Sequence, residues 1–167
     1  ELKVFADANL SLYATASASS EKNHVTVYPD DKGVDVTYKH YSYAYAAADD
    51  SLDTMWLANG TDGQHLDLTF NRLSKVNRVV LREQGNNITS FKILGSKEKG
   101  AWTELYAGTT IGELLEIDFA TTTVDKIRLL VETAESNPAI LEFGVYGVGM
   151  VDKPAIAKGN LALNKPA

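Results

Sequence analysis

The chain has 167 residues, 44% of them hydrophobic, which suits one domain with a buried core. It contains no cysteine, and that excludes a disulfide framework, a thiolate nucleophile and a zinc-thiolate site. A formal charge of -6 and a pI near 5.0 oppose nucleic acid, whose binders carry a basic footprint, and no apolar run is long enough to span a bilayer.

The first residues, Glu1 to Asp7, show no basic stretch leading into an apolar one, so the chain reads as a soluble, mature or excised piece. Asn9-Leu10-Ser11-Leu12 follows, and it returns near the end as Asn160-Leu161-Ala162-Leu163, beyond a Lys153-Pro154-Ala155 linker. That return suggests one unit cut from a tandem array. Residues 24–28 and 34–39 flank Pro29-Asp30-Asp31-Lys32-Gly33 and predict an inserted hairpin. Beyond it, Tyr41, Tyr43 and Tyr45 recur at every second position, with Tyr38 and His40 beside them. Such a row fits cross-strand packing and a sugar-stacking surface equally well.

Residues 46–56 gather carboxylate, hydroxyl and carbonyl oxygens into one turn ahead of Trp56, a set suited to a hard cation. An EF-hand fails on spacing: counted from Asp49, the sixth position is Thr54, where glycine is needed, and the twelfth is Gly60, where glutamate is needed. The bland reading is a solvated cap on a short helix. Trp56 itself, like Trp102, could offer an indole face to a sugar, but the core reading is preferred for both.

Short alternating runs rich in β-branched and aromatic residues then arrive at 65–70, 76–82, 88–95, 101–106, 114–119, 126–132 and 140–148. Turn chemistry separates them, at Asp62-Gly63, Gly85-Asn86-Asn87, Lys99-Gly100 and Asn137-Pro138 among others. The spacing predicts an antiparallel β-sandwich with almost no helix. Arg82 and Glu83 close one run at the polar loop holding Asn86 and Asn87, and Asn137 sits in a similar loop. These groups could meet sugar hydroxyls, or they could form a solvated turn with a surface ion pair. Glu142 stands in an otherwise apolar strand, where an unpaired carboxylate would be costly. A calcium ion shared by this strand and the acidic turn would resolve both oddities. His24, His40 and His65 show no paired metal-ligand spacing, and residues 108–112 lack the lysine and helix of a phosphate loop.

The ordered motifs resemble the discoidin, or coagulation factor 5/8 type C, domains, which include the family 32 carbohydrate-binding modules. They are Asn9-Leu10-Ser11-Leu12, the spacing Asp49, Thr54, Trp56, the strand His65-Leu66-Asp67-Leu68, Gly100-Ala101-Trp102 and Leu141-Glu142-Phe143-Gly144-Val145-Tyr146-Gly147. Residues 107–112 resemble versions appended to fucosidases. The resemblance implies an eight-strand jelly-roll sandwich with a structural calcium and a ligand site made by loops at one end. Carried over by position, the metal ligands are the side chains of Asp49, Thr54 and Glu142 with carbonyls of Ala46, Ser51 and Leu141. The chain departs from the family at Asp50-Ser51, where Gly-Asn is usual.

Residues 1–150 are thus expected to form an all-β module and 151–167 a linker with the start of a further repeat. The expected role is non-catalytic: a monomeric, secreted bacterial module, carrying calcium, that holds a larger glycan-degrading enzyme on polysaccharide. The carbohydrate contacts expected are His40, Tyr41, Tyr43, Trp56, Arg82, Glu83, Asn86, Asn87 and Asn137. Two alternatives stand beside this: an adhesion module for lipid or protein, and a glycosidase built on acids such as Asp62, Asp67 and Glu83.

Overall fold

The computed structural model describes residues 8–150. The linker and repeat expected in 151–167 lie outside the described residues. Nine strands follow one another: β1 (Thr15–Ala18), β2 (His24–Pro29), β3 (Asp35–His40), β4 (Trp56–Leu57), β5 (Gln64–Glu83), β6 (Ile88–Ser96), β7 (Thr103–Gly108), β8 (Leu115–Ala134) and β9 (Ala139–Met150). Short 3-10 turns at Leu10–Tyr13 and Ala44–Ala47 are the only helical pieces among the described residues. No helix there is long and apolar enough to cross a membrane.

Two strands differ from their expected form. The runs at 65–70 and 76–82 are one 20-residue strand, β5, and those at 114–119 and 126–132 are one 20-residue strand, β8. Their mutual register shifts between Thr69 and Ser74, where the pair bends. The first arm of β5 pairs with β1 and the second with β9, while the later arm of β8 pairs with β6. One continuous antiparallel ladder, β4-β9-β5-β8-β6-β7 with β1 alongside, therefore folds over itself into two layers. If each bent strand is counted as two arms, the eight expected strands are recovered, with the two-residue β4 as an addition.

The alternation in each arm explains the packing. Leu66, Leu68 and Phe70 from one arm of β5 and Val79 and Leu81 from the other join Ile127, Leu129, Val131, Phe143 and Val145 in one core. On the outer face of the first layer, Arg128 makes a two-pronged contact with buried Asp67 at 2.7 and 2.8 Å, and its guanidinium covers the Trp102 ring at 4.4 Å. Trp102 is therefore a cover for an ion pair. Gly147 is forced by geometry, since a Cβ there would overlap the Lys75 carbonyl at the β5–β9 bulge.

The inserted hairpin is present as a separate two-stranded sheet, β2 with β3. Asp30 Oδ1 accepts from the Lys32 and Val34 amides at 2.8 Å each, and Gly33 takes a φ of 81° to close the turn.

Candidate functional site

Thr54 joins the two halves of the acidic turn. Its hydroxyl lies 2.6 Å from Asp49 Oδ2 and 3.3 Å from the Ala46 carbonyl, which the Ala44–Ala47 turn presents. Ser51 serves the loop itself: its amide donates to Asp49 Oδ1 at 3.1 Å and its hydroxyl accepts from the Asp53 amide at 3.1 Å. Asp50 adopts a φ of 60°, the left-handed region that the family's glycine would occupy. The turn survives the substitution because aspartate tolerates that region better than most side chains.

Glu142 faces this turn from β9. It is 7% exposed, its Oε1 has no hydrogen-bond partner, and its Oε2 accepts from Asn9 Nδ2 at 3.4 Å. Burial pushes its carboxyl up to about 7, and the charges of Asp50 and Asp49 push the same way against the Asn9 hydrogen bond. An orphaned, buried carboxylate oxygen beside two more acids is what a cation would satisfy. Among the described residues no three acids, histidines or cysteines are placed to hold a metal ion by themselves, so a donor set here would have to mix the carboxylates of Asp49 and Glu142 with a hydroxyl and a carbonyl. Leu141, the remaining expected ligand, is half-buried beside the neighbouring recess.

That recess, of about 540 Å³, lies at the loop end against the inserted hairpin. His24 and His40 face each other across β2 and β3 and stack with centroids 4.7 Å apart. Tyr41, Tyr43 and Tyr45 form a ladder, each ring 5.7 Å from the next, with Tyr41 and Tyr45 exposed by 53% and 61%. They do not share a strand face as expected: β3 ends at His40, and Tyr45 lies in the 3-10 turn. The rings pack on one another and still present faces to solvent. Asp53 and Gln84 supply polar groups at the rim.

The expected sugar contacts do not all converge there. Trp56 is fully buried and its indole N–H donates to the Ser20 carbonyl at 2.8 Å, so it has no face to offer. Glu83 is also buried; its carboxylate accepts from the amides of Asn87, Ile88 and Gly112 at 2.8, 3.0 and 3.1 Å, which makes it a loop clamp. Arg82 lines a different groove on the sheet face. Asn86 is exposed and Asn87 half-buried in the turn that Glu83 holds, while Asn137 is half-buried beside Pro138. The acids weighed as catalytic are likewise engaged, Asp67 by Arg128 and Asp62 by the Ala134 amide at 3.1 Å. Sequence reasoning missed His24, Asp53 and Gln84 as recess residues. For His24 a signal existed, because the hairpin register sets it opposite His40.

Residues 15–143 match the family model of the F5/8 type C domain. No curated protein matches the chain. Among solved structures, chitosan-binding module 1 of a chitosanase/glucanase from Paenibacillus sp. IK-5 is 28% identical, with 84% of this chain and 99% of that one covered and a TM-score of 0.68. The family 32 carbohydrate-binding module of C. perfringens NanJ, solved with galactose, is 23% identical over 84% and 98%, with a TM-score of 0.63. A putative alpha-L-fucosidase from Bacteroides thetaiotaomicron shares the fold at 16% identity, over 86% of this chain and 30% of that one, with a TM-score of 0.70.

Proposed function

Because the chain belongs to the F5/8 type C domain family, we propose that it is a non-catalytic carbohydrate-binding module whose loop-end recess grips a glycan. The observation that carries this is the aromatic wall of Tyr41, Tyr45 and the stacked His24–His40 pair beside Asp53 and Gln84. Aromatic faces suit the C–H side of a pyranose, and the polar rim suits its hydroxyls. Chitosan-binding module 2 of the Paenibacillus enzyme, solved with chitotriose, is 23% identical and supports an oligosaccharide ligand.

In this reading a calcium ion is held by the side chains of Asp49, Thr54 and Glu142 and the carbonyl of Ala46, with Ser51 and Leu141 as further carbonyl donors. The ion neutralises the acids and ties β9 to the turn beneath the recess. The module is secreted and works as an appendage that keeps a larger glycan-degrading enzyme on polysaccharide. Single sites of this shallow, hydrated kind bind weakly, so tandem copies would add avidity.

The test is retention on a panel of insoluble and soluble polysaccharides, read by gel retardation. Binding to at least one, lost in Tyr41→Ala and Tyr45→Ala with unchanged melting, is expected. Retention by none, or turnover of a glycan by the isolated chain, would sink this reading.

The hairpin favours a second one. Val25 and Val27 are each more than half exposed on one face of it, opposite Lys39 and Thr37, an apolar pair beside a cation that a lipid surface could accept. Co-sedimentation with anionic vesicles, abolished by Val25→Ser and Val27→Ser and unaccompanied by glycan binding, would select adhesion over carbohydrate recognition.

A further inference from the structure

The outer face of the second layer carries a groove of about 830 Å³, larger than the loop-end recess and on other residues. The registers build it. Arg78 stands opposite Tyr146 on β9 and Asp118 on β8, and Val80 opposite Gly144 and Glu116. Arg82 follows on the same face, two residues further along. We propose that this groove is a second carbohydrate-binding site, independent of the loop end, that takes a neutral oligosaccharide.

Three observations favour that occupant. First, Gly144 leaves a gap into which the Tyr146 ring leans: a Cβ at 144 would come within 3.0 Å of Tyr146 Cε1. With Val80 and Leu114, the ring gives the groove an apolar side suited to the face of a pyranose. Second, the polar side is set in advance. Glu116 holds the Arg78 guanidinium at 2.7 Å and Asp118 lies 3.6 Å away, while Arg78 Nε is buried with no hydrogen-bond partner. Arg82 has no carboxylate within ion-pair distance among the described residues. The planar N–H fork of Arg82, next to carboxylates that accept, matches paired sugar hydroxyls, which do both. Third, two guanidiniums face two carboxylates, so a charged polymer of either sign meets as much repulsion as attraction. A neutral ligand loses nothing by that balance.

The experiment is a titration of the nitrogen-15-labelled chain with chitotriose and, separately, cellotetraose, followed by amide shifts. Saturable shifts are expected along 78–82, 114–118 and 144–146, with a midpoint that differs from any at 41–45. Tyr146→Ala and Arg82→Ala should each weaken the groove about tenfold, the value of one stacked face or one charged hydrogen-bonding fork, and leave the loop-end response intact. Using two variants, each checked by unchanged shifts in β6 and β7, guards against misfolding of one. Shifts confined to the loop end overturn the groove and leave the proposed function standing; shifts at neither place overturn the groove, and the polysaccharide panel then decides the proposed function. Concentration-dependent shifts at 144–146 without sugar would assign the groove to a second copy of the chain and overturn the proposal.

Discussion

Asn9 and Glu142, 133 residues apart in the chain, are joined directly: the Asn9 side-chain amide donates to Glu142 Oε2 at 3.4 Å. The other end of the same side chain accepts from the Val145 amide at 3.2 Å and from the Ser11 amide and hydroxyl at 3.1 and 2.6 Å. One short side chain thus starts the first 3-10 turn, fastens it to the last strand and orients a carboxylate at the proposed metal site. Asn9→Ala should cost about 2 kcal/mol, from a lost cap and an abandoned amide, and should weaken calcium binding. Urea unfolding with and without calcium measures both, and an unchanged midpoint would deny the clamp.

Without a cation, Glu142 makes stability depend on pH. Its folded carboxyl sits at about 7 against an ordinary 4.5, so the folded chain holds the proton more tightly than the unfolded one. The associated stability is full below 4.5 and is lost as pH rises through about 7. In chelator the unfolding free energy should therefore fall across that window, by on the order of 3 kcal/mol at full ionisation, and the melting temperature with it. Calcium at a hundredfold excess over its Kd should add about 2.7 kcal/mol and flatten the decline. Glu142→Gln should remove both the pH dependence and the calcium response; a chelator-insensitive wild-type transition would eliminate the ion as a structural element.

Asp50 holds a left-handed backbone and a charge that opposes ionisation of Glu142. Asp50→Gly relieves both, and the gain of about 1 kcal/mol should raise the melting temperature in chelator by roughly 2–4 °C. Differential scanning calorimetry would register it, and a lower transition would contradict the strain argument.

Glu83 predicts the opposite of a ligand contact. Glu83→Ala strands three amides that the carboxylate now satisfies, and should destabilise by about 3 kcal/mol while affinity for glycan, measured on the folded fraction, stays within a factor of about two. Isothermal titration at low temperature separates the effects, and a selective loss of binding would restore Glu83 to the site.

Much of this molecule could be read from residue order. Alternation at period two marked almost every strand arm, and turn residues marked the gaps, because those preferences act over a few residues. The acid inside an apolar strand and the oxygen-rich turn stood out for the same local reason. What the order of residues could not reveal is which arms are continuous and which faces meet. A bend that keeps β5 and β8 unbroken depends on pairing with strands more than forty residues away, as Thr69 with Lys126 shows. Burial likewise belongs to the assembled layers: Trp56, open by type to either a core or a sugar-stacking role, fills the core, and Glu83, which looks like an exposed recognition residue, is consumed by backbone amides. Arg82 is one residue from Glu83 and faces the other way, so alternation sent it to the outer groove. Short-range preferences write the elements into the chain, and only packing decides which polar groups remain free to meet a ligand.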